Sequence, residues 1–169
     1  MAFRKNVSRE IEDLTVRLEN KAKSARRAAN RRMEEGQQVI ADLARMYAPE
    51  DEGNLGESIK TEKTRSASDG RRNAYEVYID IDARGSNGAE RVGQYAYGIH
   101  EGVYTNREGD SKPYNLGKRS LEKDADVGGN GLGWPYGGKV GPKFLTRAFE
   151  DFTPKMERKI REAVKKELK

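Results

Sequence analysis

The stretch Ala48-Pro49-Glu50-Asp51-Glu52-Gly53-Asn54-Leu55-Gly56-Glu57-Ser58-Ile59 decides how this chain folds. Pro49 ends whatever helix precedes it, because the residue before a proline is pushed out of the α region. Gly53 admits a positive φ and Asn54 can cap a turn, so the segment reads as a corner between a helix and a strand.

Upstream, Ser8 to Tyr47 reads as one long amphipathic helix. Ser8 can cap it, and Glu10, Glu12 and Asp13 sit where the helix dipole favours negative charge. Apolar or small residues recur at Ile11, Leu14, Leu18, Ala22, Ala25, Ala29, Val39, Leu43 and Met46, a helical stripe. Its alanine-rich middle buries little, and Lys21, Lys23, Arg26, Arg27, Arg31 and Arg32 surround it without an intervening acid. Gly36 weakens the helix by about 1 kcal/mol relative to alanine and is expected to mark a bend. Forty residues of helix extend about 60 Å, too long for a compact 19 kDa globule, so the helix must project or pack on another chain.

Downstream, Asn54 to Ser58 enters a strand-like run, and Ile59 to Arg65 reads as an edge strand. Ala74 to Asp82 has the clearest alternation: Tyr75, Val77, Ile79 and Ile81 against Glu76, Tyr78, Asp80 and Asp82. Val92 to His100 is expected to form a further strand, with Tyr95, Tyr97 and Ile99 on one face. From 102 to 141 glycine and asparagine break every pattern, which predicts a long loop of functional character. Residues 142–169 read as a closing helix, with Pro142 at its start, an apolar face of Phe144, Leu145, Ala148, Phe149 and Phe152, and a kink or restart at Pro154.

Composition narrows the function. The chain has 29 Leu, Ile, Val and Phe in 169 residues, about 17%, which is thin for a self-sufficient core. Yet 33 basic and 28 acidic residues nearly cancel, unlike the high net charge of a disordered chain. Burial borrowed from neighbouring subunits reconciles the two. No apolar run approaches a membrane span, and the N-terminus lacks the apolar core of a secretory signal. The absence of cysteine excludes disulfides and thiolate chemistry, and one histidine excludes a multi-histidine metal site. No cofactor, metal or catalytic residue is expected.

Four features compete as sites. Gly133-Trp134-Pro135-Tyr136-Gly137-Gly138-Lys139-Val140 satisfies G-x-x-x-x-G-K, but Val140 stands where a phosphate-binding loop needs Ser or Thr, and no strand precedes it. It reads instead as a loop with an aromatic anchor. His100 beside Glu101 lacks a nucleophile motif, and Glu50-Asp51-Glu52 and Asp124/Asp126 lack the spacing of a calcium loop. Residues 21–32, with Arg26, Arg27, Arg31 and Arg32, and the basic run from Lys155 to Lys169 could meet nucleic-acid phosphates, although neither carries interleaved aromatics. Tyr104, Tyr114, Trp134 and Tyr136 in the glycine-rich loop read as anchors that dock on a partner chain.

Three motifs in order carry a family resemblance. The corner segment 48–59 resembles the A-P-V-D-T-G-N-L-x-x-S-I signature of the HK97 gp10-like family of bacteriophage neck and tail-completion proteins. Tyr95-Ala96-Tyr97-Gly98-Ile99-His100-Glu101-Gly102 is similar to that family's Y-A-x-x-V-E-F-G segment. Gly141-Pro142-Lys143-Phe144-Leu145-Thr146-Arg147-Ala148-Phe149 is similar to its P-F-L-x-P-A helix start, with Lys143 inserted. Glu52 stands where the family has threonine, and the loop from 102 to 141 is longer than usual.

The resemblance implies an α+β fold, with long N-terminal and C-terminal helices packed on a small, mainly antiparallel sheet and a long glycine-rich insertion. It assigns structural weight to Pro49, Gly53, Asn54, Leu55, Pro142, Phe144 and Leu145. The expected organisation is a single domain: a tail over 1–7, a helix over 8–48, a sheet region over 49–101, the loop over 102–141 and a helix over 142–169. The implied function is structural: a virion subunit, in a homo-oligomeric and expectedly hexameric ring, joining the head connector or adaptor to tail-terminator or tail-tube proteins. Such a ring would be assembled in the host cytoplasm, away from any membrane, with room for DNA contact in the lumen. Subunit contacts are expected along Ala22, Ala25 and Ala29 and under Trp134 and Tyr136. The alternative is a basic nucleic-acid-binding protein acting through the 21–32 face, and an enzyme is the weakest third reading.

Overall fold

The computed structural model describes residues 2–50, 54–65, 73–84, 91–105, 111–113 and 115–169. Gly53, Tyr114 and the side chains of Asn54 and Tyr104 lie outside the described set. The fold is α+β. Helix α1 (Ala2–Tyr47) is followed by a short α2 (Asn54–Glu57), the strands β1 (Ile59–Arg65) and β2 (Asn73–Ile79), a 3-10 turn (Val92–Gln94) and α3 (Ala96–Glu101). Then come β3 (Val103–Thr105), β4 (Ser111–Pro113), α4 (Lys118–Asp126) and α5 (Phe144–Leu168). Among the described residues two antiparallel strand pairs form, β1 with β2, where Ile59 faces Ile79, and β3 with β4, with an isolated antiparallel bridge between Arg84 and Arg91.

The chain divides into two compact units. One combines residues 1–35 with 154–169; the other is 36–153. Both α1 and α5 contribute to each.

In the larger unit the end of α1 forms the spine. Ile40, Ala41 and Ala44 are buried with Ile59, Val92, Val140, Phe144 and Ala148. The β1–β2 pair is tied to the helix through backbone carbonyls. Gln37, itself buried, donates through Nε2 to the carbonyls of Glu62 and Glu76, one on each strand. Arg45 donates to the carbonyl of Ile59 at 2.6 Å. Along β2 the expected alternation holds, with Tyr75, Val77 and Ile79 half-buried and Glu76 and Tyr78 exposed.

Pro49 stops α1 as expected, and its last carbonyls are satisfied from afar. Lys123 on α4 donates to the carbonyls of Arg45 and Ala48, and the Gly141 amide donates to that of Tyr47 at 2.9 Å. A cation at a helix C-terminus also complements the helix dipole.

Several sequence expectations are corrected. Residues 92–100 are helical rather than extended: α3 ends on Gly102 at φ +76°, a left-handed cap that closes a helix. The three expected on one strand face, Tyr95, Tyr97 and Ile99, do not share a face: in a helix Tyr97 falls opposite Tyr95 and Ile99, and it is 77% exposed while they are half-buried. Residues 54–57 are a helical turn, with the strand beginning at Ile59. Ile81 lies past the end of β2 and is 61% exposed. The 102–141 region contains a strand pair and α4, whose charged sequence hid its helical period. Pro154 lies within a continuous α5.

The stripe on α1 also changes register beyond Ala29. The face continues through Met33, Gly36, Ile40, Ala44 and Tyr47, all buried or half-buried; of the expected positions Leu43 is half-buried, while Val39 and Met46 are exposed. From Ile11 onward the face repeats as three, four and four residues, and an eleven-residue period keeps one face aligned along a helix. Following the larger side chains at Val39 and Met46 led the sequence reading one position astray.

Candidate functional site

The glycine-rich region is organised by a buried carboxylate. Asp124, near the end of α4, has no exposed surface, and its two oxygens accept backbone amides from four residues of the loop. Gly131 and Gly133 donate to Oδ2 at 2.9 and 3.3 Å, Val140 donates to Oδ1 at 2.7 Å, and Lys139 donates to Oδ1. Burial alone pushes this carboxyl up; the amides of Val140, Lys139, Gly133 and Gly131 outweigh it and hold the group below the usual carboxylate range. Glycine is required around it, because a Cβ at Gly129 or Gly138 would fall on the Asp124 oxygens. The segment from 128 to 141 is therefore wrapped on a fixed charge.

This arrangement settles the chemistry of the run from Gly133 to Val140. In a phosphate-binding loop the backbone amides converge on the ligand. Here the amides of Gly133, Lys139 and Val140 converge on a carboxylate of the same chain, and Lys139 Nζ donates to the Val127 carbonyl at 2.8 Å. The anion that the motif would cradle is built in.

Arg147 on α5 joins the loop to α1. Its guanidinium lies 5.2 Å from the ring centres of both Tyr47 and Trp134. It donates to the carbonyls of Lys139, Gly141 and Pro142 at 2.7, 3.0 and 3.0 Å. Tyr47 in turn donates its hydroxyl to Asp151 at 2.7 Å, and burial together with that carboxylate pushes its pKa up to about 12. Trp134 is thus partly engaged within the chain and 39% exposed, whereas Tyr136 is 74% exposed.

His100 sits beside this region. Its Nδ1 is 3.0 Å from Glu101 Oε1, its ring meets Phe144 edge-on, and its Nε2 is buried without a hydrogen-bond partner. Glu101 also pairs with Lys143, and first Lys143, then His100, hold its pKa below the usual range. Lys143, the residue inserted into the third motif, takes φ +58°. Its amide donates to the His100 carbonyl at 2.6 Å, so the second and third motifs meet in space.

The family-motif residues that are described serve as packing. Pro49, Leu55 and Phe144 are buried and Leu145 is half-buried. Pro142 stands against Gly102, where a Cβ would approach the proline ring to 3.1 Å.

The small unit holds the other candidate surfaces. Ala25 is buried within it, Ala29 is half-buried and Ala22 is exposed. Helix α5 ends beside Lys21, whose Nζ donates to the carbonyls of Leu168 and Lys169, both at 3.2 Å. Arg26, Arg27 and Arg31 are exposed; Arg32 pairs with Glu35 at 2.6 Å.

Charge is partitioned sharply between the units. Residues 1–35 with 154–169 hold 17 basic and 9 acidic residues, net +8, whereas 36–153 hold 16 and 19, net −3. Sequence reasoning saw both basic runs but not that they fold into one unit. It missed Asp124 as an organiser because its partners are backbone amides, which no side-chain motif announces.

The chain matches no protein-family model, no curated protein and no solved structure.

Proposed function

We propose that this chain is a structural subunit of a tailed-bacteriophage neck or tail-completion ring, acting by assembly. The observation that carries the reading is the uncovered apolar face on the first part of α1: Ile11, Leu14 and Leu18 are 59%, 58% and 58% exposed. Apolar side chains in a row on a helix need a covering surface. The three motifs in family order and the outward Tyr136 support the same reading. Electron microscopy of the purified chain is expected to reveal closed rings, and mass spectrometry of the phage particles to find the chain in them. A monomer absent from particles overturns the proposal.

The partition of charge favours a second reading, contact with nucleic acid through the small unit. A net +8 on two helices is a strong local attraction for phosphates. Retention of duplex DNA in a gel would fall steeply with salt, and neutralising Arg26, Arg27 and Arg31 would weaken it for all sequences alike. Salt-independent or absent retention removes this reading.

A further inference from the structure

The stripe on α1 is one face with two fates. From Ala25 to Tyr47 its positions are covered by the chain itself. From Ala22 back to Ile11 they are exposed, and the change falls where α5 ends beside Lys21. The uncovered part carries a charge of its own: residues 10–19 hold Glu10, Glu12, Asp13 and Glu19 against Arg17 alone, net −3. Glu12 and Glu19, seven residues apart, flank the stripe on the same side. The end of α5, residues 154–169, holds seven basic and three acidic residues, net +4, and its Leu168 is 52% exposed.

We propose that the stripe Ile11, Leu14 and Leu18 seats on the basic C-terminal part of α5 in a second copy of this chain, head to tail. Three alternatives fit less well. The chain's own α5 stops short of the stripe. A polyanion would be drawn to the basic stretch 21–32 and the end of α5 rather than to the stripe, whose own stretch, 10–19, is net −3. Pairing of two identical stripes would set a net −3 block against another, whereas the proposed contact sets −3 against +4. A head-to-tail contact uses two different surfaces of each subunit, and such contacts close into rings when the rotation permits. The inference rests on the ring reading and names the surfaces that would build it.

The experiment is a measurement of molar mass by light scattering on the full chain at low and high salt, with circular dichroism to verify helicity. Two charge-reversal variants are made, E12K/E19K and K165E/K166E. The wild type is expected to form an oligomer that weakens with salt, and each variant alone to associate about tenfold more weakly. An equimolar mixture of the two is expected to recover the oligomer, because reversed acids then meet reversed bases and the remaining wild-type surfaces meet each other. A folded L14D/L18D variant is expected to stay monomeric. Wild-type mass in the variants overturns the contact, and so does failure of the mixture to recover it. Stronger association of E12K/E19K with wild type than of either alone would indicate stripe-to-stripe pairing and also overturns it. A monomeric wild type, as expected if another virion protein or DNA covers the stripe, overturns it as well. Variants found in virion rings at wild-type levels remove this contact and leave the ring reading standing, whereas absence of the wild type from particles removes that reading itself.

Discussion

The two parts of α1 make the same helix for different reasons. Between Gly36 and Tyr47 the helix is held by what surrounds it: Gln37 bridges two strands, Ile40 and Ala44 are buried, and Lys123 and Gly141 satisfy its final carbonyls. Between Glu10 and Ala22 every side chain is exposed, and the stripe continues without a cover. Identical periodicity thus yields a core in one place and an open surface in the other. Amphipathicity specifies that a face will be covered, and says nothing about whether the cover comes from the same chain.

The comparison breaks most readily at the cover. Asp124→Ala leaves four loop amides without their acceptor, and an unsatisfied buried donor costs roughly 1–3 kcal/mol, so a loss of about 4 kcal/mol or more is expected in urea unfolding. Because Trp134 is the sole tryptophan and lies in this loop, its emission reports the same event. Acid acts through the same group. Its folded pKa lies below the unfolded value near about 3.9, so its contribution is complete above about pH 4 and is lost as pH falls through the folded value. The Trp134 signal is therefore expected to stay flat from neutrality to about pH 4 and to change below it; a transition near neutrality would contradict the assignment.

Ile40→Ala empties a 2% exposed site, with an expected loss of about 3 kcal/mol in the same unfolding measurement. Arg147→Lys keeps the charge but cannot stack flat between Tyr47 and Trp134 or reach three carbonyls, and is expected to cost about 1–2 kcal/mol and alter Trp134 emission. Leu14→Ala sharpens the contrast from the other side. In dilute solution it should change unfolding by less than about 0.5 kcal/mol, since little is buried there to lose. A Leu14→Ala cost comparable to that of Ile40→Ala would mean the two parts of α1 are alike.

Much of this was legible in the sequence. The stop of α1 at Pro49, the alternation of β2 and the body of the closing helix all rest on periodicity or on proline, signals that act locally. The helix starts were misplaced, since α1 already runs from Ala2 through the expected cap at Ser8, and α5 begins at Phe144, after Lys143 at φ +58°, rather than at Pro142. Residues 92–100 were misread because an alternation of three residues is too short to establish a strand, and the deciding feature, the left-handed Gly102, lies just past them. The charged sequence from Lys118 to Asp126 concealed α4, and with it the origin of order in the loop. The role of Asp124 was out of reach for a different reason: its partners are backbone amides brought together by the glycine turns at 131 and 133, so the site exists only once the chain is folded. The alanine stretch was expected to face another subunit; Ala25 instead lies buried inside the small unit, and the open face starts one turn earlier, at Ala22.

Hydrogen–deuterium exchange along α1, measured at low and high protein concentration, tests the contrast most directly. The account predicts slow exchange over 36–47 at every concentration, and fast exchange over 10–22 that slows as the chain associates. Equal protection of the two segments in dilute solution, or no gain over 10–22 on association, would contradict it.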